Sequence, residues 1–416
     1  MHFTYTSLKY FIVACVCLCL FTDAGYATGL SKSVNVGPKA IGMGGAFVGI
    51  ADDATAIYHN PAGITQLDGH HFYIGADSLL AKSDFTPEGD STESAKKELL
   101  PVPSFSFVSS IAKPLYVGVG VFFPHGNGGK FPSDSAVISH PNEGKIYSME
   151  IIPTVAYKSD FGLSIGAGFR IVRIQNELKG QFVDLDPNNP GTVIDTIESL
   201  DVNGWAMGAS FGVFYKPIKQ FSVGANLRSI VEKGIDGTIK TTSGGPINGL
   251  TGSTNNDVSI NQTLPMTLNA GFGFYPTDKL TLGLAYQFEK NDAIKEYTVD
   301  INDGALSQTF AQNWENTHTI HVGADYKATD ALSVRAGYAK DFNDAIPDEV
   351  INRIIADIAA HEISAGAAYQ LKNLNIGLTW NGRFGERDTT AAGNNPVDGN
   401  YKAFIHSISL GLGYKI

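Results

Sequence analysis

From about residue 70 onward, apolar residues alternate with small or polar ones in segments of roughly 8–20 residues, the period-two signature of strands with two unlike faces. The last segment puts Ile408, Leu410, Leu412, Tyr414 and Ile416 on one face and Ser407, Ser409, Gly411, Gly413 and Lys415 on the other. The same split separates Leu280, Leu282, Leu284, Tyr286 and Phe288 from Thr281, Gly283, Ala285, Gln287 and Glu289. It also separates Phe221, Val223, Ala225 and Leu227 from Ser222, Gly224, Asn226 and Arg228, and Leu374, Ile376, Leu378 and Trp380 from their neighbours. A soluble sheet usually shows charge on its polar face. Here that face is mostly Gly, Ser, Thr and Asn, which suits the inside of a barrel whose outer face meets lipid.

The connections alternate as well. Short ones at 113–114, 159–160, 216–220, 276–279, 328–331 and 372–373 are interleaved with long polar ones at about 84–100, 125–146, 185–199, 242–256, 301–312, 343–360 and 386–400. Six short turns and seven long loops predict an all-β chain: a 14-stranded antiparallel transmembrane β-barrel with both ends at the short-turn, periplasmic rim. Phe122, Phe123, Tyr157, Phe214, Tyr215, Tyr275, Tyr326, Tyr338, Tyr369 and Trp380, near strand ends, read as interfacial girdles.

Composition narrows the class. Gly supplies 46 of 416 residues against a usual ~7%. A mean hydropathy of -0.03 is too mild for a bundle of membrane helices. A net charge of -11 argues against a nucleic-acid partner, which needs a basic face. Lys9, the apolar run Tyr10 to Phe21, and Gly25 and Ala27 make residues 1–27 a secretory signal peptide, the run being shorter than the ~20 residues of a membrane span. Cys15, Cys17 and Cys19 all lie inside it, so the mature chain would have no disulfide, thiolate nucleophile or Cys-bound metal. The expected location is the outer membrane of a Gram-negative cell, the chain a monomer inserted by the barrel assembly machinery and surrounded by outer-membrane lipid.

Residues 28–69 lack alternation and are dense in glycine, with Asp52-Asp53 followed by Tyr58-His59-Asn60-Pro61-Ala62-Gly63. Ile41, Met43, Phe47, Ile50, Ile57 and Ile64 make the stretch too apolar for a polar linker. A fourteen-stranded barrel is too wide for side chains alone to fill, so the segment is expected inside as a plug, with 70–416 as the barrel.

The run Ala40-Ile41-Gly42-Met43-Gly44-Gly45-Ala46-Phe47-Val48-Gly49-Ile50-Ala51-Asp52-Asp53-Ala54, continuing to Asn60-Pro61-Ala62-Gly63, resembles the N-terminal hatch of the FadL/TodX family of outer-membrane transporters for long-chain fatty acids and aromatic hydrocarbons. The resemblance extends through Val121-Phe122-Phe123-Pro124-His125-Gly126, Ile346-Pro347-Asp348 and the final strand. It implies passive transport of a hydrophobic small molecule, with hatch gating and sideways exit at a kink in the third strand. The alternative is a non-transporting outer-membrane scaffold that binds a partner and uses the same hatch motif. The chain departs from fatty-acid members in its third loop, which is short and polar (Asp186-Pro187-Asn188-Asn189-Pro190-Gly191), and in a Gly/Thr/Asn-rich fourth loop. Helical spacing of Val350, Ile351, Ile354, Ile355 and Ile358 predicts a helix over Asp348 to Ala360 in the sixth loop.

Catalysis is not expected. His70-His71 and His318/His321 fall on opposite strand faces, as do His406 and Ser407. Gly44-Gly45 and Gly244-Gly245 lack a following Lys-Ser/Thr. No catalytic residue, metal or cofactor is assigned. The candidate residues are instead those of a gated channel. Gly118, Gly120 and Pro124 mark the lateral opening, because Gly permits a bend and Pro cannot donate to a ladder. Asn60, Pro61, Ala62 and Gly63 are expected to pack near the third strand and gate it. Arg170, Arg228, Arg335 and Arg383 fall on inward faces, as do Glu150, Glu289 and Glu362. They either pair with acids, Asp52 and Asp53 of the hatch included, or hold a ligand carboxylate, Arg170 foremost. Phe122 is a candidate apolar ligand contact.

Overall fold

The computed structural model describes residues 35–416 apart from 98, 133–141, 186–192, 244–252, 352–353, 355 and 391–397. The expected signal peptide, residues 28–34 of the expected plug, the Asp186–Gly191 stretch and Gly244-Gly245 therefore lie outside the described residues. The strands are β1 (His70–Pro87), β2 (Leu99–Ala112), β3 (Leu115–Lys130), β4 (Glu143–Lys158), β5 (Leu163–Leu185) and β6 (Val193–Ile218). Four interrupted crossings follow: β7 (Phe221–Arg228 and Val231–Ser243), β8 (Ser253–Leu264 and Met266–Thr277), β9 (Leu280–Lys290 and Glu296–Ile301) and β10 (Leu306–Ala311 and Thr317–Lys327). The last are β11 (Leu332–Asp341), β12 (His361–Leu371), β13 (Leu374–Thr389) and β14 (Gly399–Lys415). β14 pairs back onto β1 from His71↔Lys415 to Pro87↔Gly399, so the fourteen antiparallel crossings close into a barrel. Closure leaves no strand at a free end of the sheet, the condition for strands to cross lipid. His70 and Ile416 hydrogen-bond to each other at the short-turn rim, where the chain both enters and leaves the wall.

The wall changes character along its height. Over the lower half the aliphatic face points out: Ile408 and Leu410 are exposed, whereas Ser407 and Ser409 are buried. Above it the pattern inverts. In the second segment of β7, Val231, Ile235 and Ile239 are buried while Glu232, Asp236 and Lys240 are exposed. Single-strand breaks make the switch: Ser229-Ile230 in β7 and Pro265 in β8 each separate two paired segments. A break of odd parity flips every later side chain to the other face. β5 and β6 run 23 and 26 residues, more than the ~9–11 that cross a bilayer. Their upper parts stand outside the membrane and behave like a water-soluble sheet, apolar inside and charged outside.

Residues 35–69 sit inside the short-turn end of the barrel. α1 (Pro38–Gly42), α2 (Ala56–His59) and a 3-10 helix (Pro61–Gln66) are joined by turns. Met43, Phe47, Ile50, Ile57 and Ile64 are completely buried, each contributing ~1.5–3 kcal/mol by leaving water. The hatch backbone lies directly against a ring of wall glycines. A Cβ at Gly166 of β5 would meet Pro61, at Gly212 of β6 Asn60, and at Gly224 of β7 the Val48 carbonyl. Around the rest of the ring Gly283 faces Ala46, Gly323 faces Met43 and Gly337 faces Gly44. Gly44 and Gly45 themselves take φ of +61° and +84°, which other residues rarely adopt.

Two expectations fail here. No helix is found among the described residues of 343–360; the isoleucines reach the lumen from a chain of turns instead. Of the aromatics read as girdles, Tyr157, Tyr326, Tyr338, Tyr369 and Trp380 are exposed on the wall, but Phe122, Phe123 and Phe214 are buried. Phe122 turns inward onto Tyr58 of the hatch, and Phe123 packs with Val102, Phe105 and Val121 inside the wall.

Gly337→Val tests the close approach. Its side chain would strike Met43 and Gly44 of the hatch, not the wall. The barrel is expected to keep its heat-modifiable migration on gels while limited proteolysis cuts the hatch severalfold faster; an unchanged cleavage rate would show that the hatch does not need this contact.

Candidate functional site: hatch, wall slot and buried charge cluster

Burying the hatch leaves its backbone carbonyls without water, so each needs a donor. The inward polar face of the wall supplies them. Ser222 Oγ donates to the Gly49 carbonyl at 2.6 Å, Asn226 Nδ2 to Tyr58 at 3.2 Å and Thr379 Oγ1 to Pro38 at 2.7 Å. His321 Nδ1 lies 2.7 Å from the Gly44 carbonyl, whereas His318, on the other face, bonds Tyr286. Asn60 is the central tie: Nδ2 donates to Val48 and to Val213 of β6, both at 3.0 Å, while Oδ1 accepts from Ala62 N at 3.2 Å and caps the 3-10 helix. Pro61 sets the first position of that helix, and Gly63 is needed because a Cβ there would strike Ala51. Asn60 thus fastens to β6 rather than to the third strand. Ile57, one turn earlier, faces Gly118 and Gly120 of β3.

The wall pairing is interrupted beside Ile57. β2 and β3 pair from Phe105↔Val121 to Ala112↔Leu115, and among the described residues no pair joins them above Val121. β2 continues on β1 as far as Leu80↔Leu99, and β3 continues on β4 as far as Lys130↔Glu143. Between Phe122↔Glu150 and His125↔Ser148, β3 spends three steps against two on β4. Pro124, which cannot donate, sits in this bulge. The resulting slot between β2 and β3 is filled by Leu79, Val102, Phe105, Val121, Phe123 and Met149, an apolar cluster within the wall.

A charge cluster backs the bulge. Glu150 of β4, fully buried opposite Phe122, receives Arg170 Nε at 3.0 Å and Nη2 at 2.7 Å in a fork, and Arg228 Nη2 at 2.5 Å. Arg170 Nη1 donates to the Ser229 carbonyl at 2.7 Å, so its guanidinium is engaged on every side. Arg228 stacks over the Tyr58 ring of the hatch at 4.3 Å, and Tyr58 packs on Phe122 at 5.6 Å. Arg228 Nη1 and His125 Nε2 are buried without a hydrogen-bond partner among the described residues. Arg383 is held by Asp341 at 2.7 Å and Glu362 at 2.8 Å. The expected pairing of arginines with Asp52 and Asp53 does not occur. Asp52 binds Lys39 at 2.7 Å, Asp53 accepts from Thr55, and Arg335 pairs with Asp325, 3.6 Å from Lys39. Here the hatch borders a cavity of about 280 Å³ at the short-turn rim, lined by Pro38, Lys39, Asp52, Tyr73, Arg335 and Tyr414. At the same rim Asp68 is held below the usual carboxylate range by hydrogen bonds from Lys113 and Tyr116.

The alternation pointed to the inward arginines, Glu150 and Phe122. Ser222, Asn226, Thr379 and His321 also seat the hatch and were not singled out for it by the sequence. Their only signal was a polar side chain on an inward face at the height of the plug.

A closed barrel whose inner face is built to carry an N-terminal plug defines a class of outer-membrane channel. The sequence model of that class, described as outer membrane protein transport protein (OMPP1/FadL/TodX), matches residues 28–414. The chain belongs to this family, and is an outer-membrane transport protein rather than an enzyme. It is 26% identical over 384 residues to a long-chain fatty acid transport protein of Escherichia coli, covering 82% of this chain and 84% of that one. Its fold superposes on a FadL homologue of Pseudomonas aeruginosa with a TM-score of 0.81 at 18% identity, covering 92% of this chain and 99% of the other. The toluene transporter TodX of P. putida follows at 0.75 and 16%, with the same coverage.

Glu150→Gln would strand two buried guanidinium groups, a loss of about 3–5 kcal/mol for a broken buried pair. The expected result is a lower denaturant midpoint in detergent, partly recovered by adding Arg228→Met; an unchanged midpoint would show that the cluster does not hold the wall.

Proposed function

We propose that the protein is a passive route for hydrophobic molecules, with the hatch closing the lumen and the slot between β2 and β3 serving as a lateral exit into the membrane. The observation that carries this reading is the end of the β2–β3 ladder at Phe105↔Val121 beside an apolar cluster. An apolar solute gains nothing by entering periplasmic water, and a dry gap in the wall lets it pass from lumen to bilayer without doing so. Tyr58 and Ile57 couple the hatch to this gap. Tyr58 touches both Phe122 and Arg228, so shifting the hatch disturbs the bulge and the charge cluster together. Relatives are named for long-chain fatty acids and for toluene, which brackets the substrate class. Arg170 is fully engaged with protein acceptors, so a ligand carboxylate would fall to Nη1 of Arg228, whose guanidinium lies over the Tyr58 ring. A fatty acid and its methyl ester distinguish the two cases: loss of binding to Arg228→Met for the acid alone marks a carboxylate contact.

Deleting Pro124 removes the extra residue of the bulge and lets β3 run straight. Uptake of a hydrophobic substrate by cells carrying this variant is expected to fall severalfold, with normal amounts of folded barrel in the outer membrane. Full uptake through the straightened wall would refute lateral exit.

A further inference from the structure

Every one of the six short turns carries at least one lysine, from Lys113 at the first to Lys372 at the last, in a chain whose net charge is -11. The turns at 159–162 and 216–220 are neighbours on the rim, because β5 and β6 pair at Leu163↔Tyr215 beside them. Both turns border a cavity of about 440 Å³, lined by Lys158, Lys216 and Lys219, by Ser164 of β5, and by Thr65 and Gln66 of the hatch. Its floor is polar and buried. Ser164 and Thr65 are each 1% exposed, and Thr65 Oγ1 lies 2.7 Å from Ser164 Oγ and 2.8 Å from the Ala62 carbonyl. Thr65 has a single hydroxyl proton; given to Ser164, it leaves the Ser164 proton free to turn into the cavity. Gln66 Nε2 donates to the Ile50 and Ala51 carbonyls at 2.8 and 2.9 Å, which fixes this side of the cavity to the hatch. Lys216 Nζ stands 3.8 Å from the centre of the Tyr275 ring, a cation–π contact that positions the ammonium. Among the described residues no carboxylate forms an ion pair with any of the three lysines. Asp52 is taken by Lys39, and Asp68 by Lys113 and Tyr116.

We propose that this cavity binds a terminal phosphate group and so ties the hatch to the wall. Like charges that share a cavity repel one another. No protein carboxylate relieves them here, so an anion gains from all three lysines at once. An ammonium is a point charge with three rotatable donors. A tetrahedral phosphate presents oxygens to cations arriving from several sides, whereas a planar carboxylate offers only two. The Ser164 hydroxyl adds a neutral donor on the floor. Ile218, 57% exposed in the same lining, gives hydrocarbon beside the phosphate an apolar surface. The headgroup of a phospholipid and a soluble phosphate monoester share this chemistry, and the short-turn rim of an outer-membrane barrel faces the periplasm and its lipid leaflet. Because the lysines belong to the wall and Thr65 and Gln66 to the hatch, a bound phosphate bridges the two. The proposal does not depend on the transport reading.

The full chain, purified in an uncharged detergent, is titrated by calorimetry at fixed ionic strength with inorganic phosphate, with glycerol 3-phosphate and with short-chain phosphatidic acid. The same titrations are run on the triple variant Lys158→Gln, Lys216→Gln, Lys219→Gln. A second triple variant, Lys279→Gln, Lys327→Gln, Lys372→Gln, removes the same charge from other turns of the rim. All six lysines are exposed, and heat-modifiable migration on gels verifies that each barrel is folded. Saturable binding to the unaltered chain is expected for at least one probe, severalfold weaker in the first variant and unchanged in the second. Saturation by phosphatidic acid alone marks a lipid headgroup as the source; saturation by glycerol 3-phosphate or inorganic phosphate as well marks a soluble one. No saturable binding of any probe, or equal weakening in both variants, overturns the proposal, the latter by showing only the general charge of the rim. The bridge has its own readout. Limited proteolysis of the hatch is expected to slow severalfold when the binding probe is added to the unaltered chain, and not in the first variant. An unchanged rate in the unaltered chain at saturating probe would show that the phosphate does not join hatch to wall.

Discussion

The structure depends on one constraint: a plug whose backbone lies directly on the inner wall. Where two backbones approach this closely there is no room for Cβ, so β5, β6, β7, β9, β10 and β11 each present glycine at the height of the hatch. The same approach excludes water, so the hatch carbonyls must find donors on the wall, and Ser222, Asn226, Thr379 and His321 provide them. Glycine content and small polar inward faces, which might be read as loose filling, are the two halves of one fit. The hatch in turn makes the wide barrel solid, because its buried Met, Phe and Ile side chains fill what the wall's glycines leave open.

Against that close fit, the region around β3 is the exception. Gly118 and Gly120 receive Ile57, and immediately above them the ladder to β2 ends. The unpaired stretch is compensated on two sides: β4 keeps its hydrogen bonds through a bulge, and Glu150 with Arg170 and Arg228 ties β4, β5 and β7 together behind it. Removing water from three charges is costly unless they satisfy each other, so the cluster is stable only as a unit. Its contact with the hatch runs through the Tyr58 ring, a cation–π contact that tolerates sliding better than a directional hydrogen bond.

The outer half follows different physics. Once the strands leave lipid, apolar side chains gain by turning inward, and the breaks at 229–230 and Pro265 let a single strand obey both rules. The apolar inner face so formed packs on Ile346, Ile351, Ile354 and Ile358 of the sixth loop.

The sequence by itself determined the strand number, the turn and loop alternation, the plug and the lower outward face. All follow from local rules: period-two patterning, turn chemistry, and the cost of facing charge to lipid. Asn60-Pro61-Ala62-Gly63 and Gly118, Gly120 and Pro124 stood out because Pro and Gly restrict the backbone wherever they occur. Only the tertiary structure decided which partner each side chain found. Arg228 and Glu150 lie 78 residues apart on strands that are not neighbours, so nothing local could choose Glu150 over Asp52 as its acid. Asn60 reaches Val213 because the hatch is rotated to that side of the barrel, an angle set by the whole ring of contacts. The sixth-loop isoleucines carry helical spacing, yet no helix is found among the described residues of that loop, because burial against the upper wall and the Arg387 hydrogen bonds to the Ile346 and Asp357 carbonyls favour another path for the backbone. Periodicity records which residues avoid water; the direction in which they avoid it is settled by what the closed barrel places opposite them.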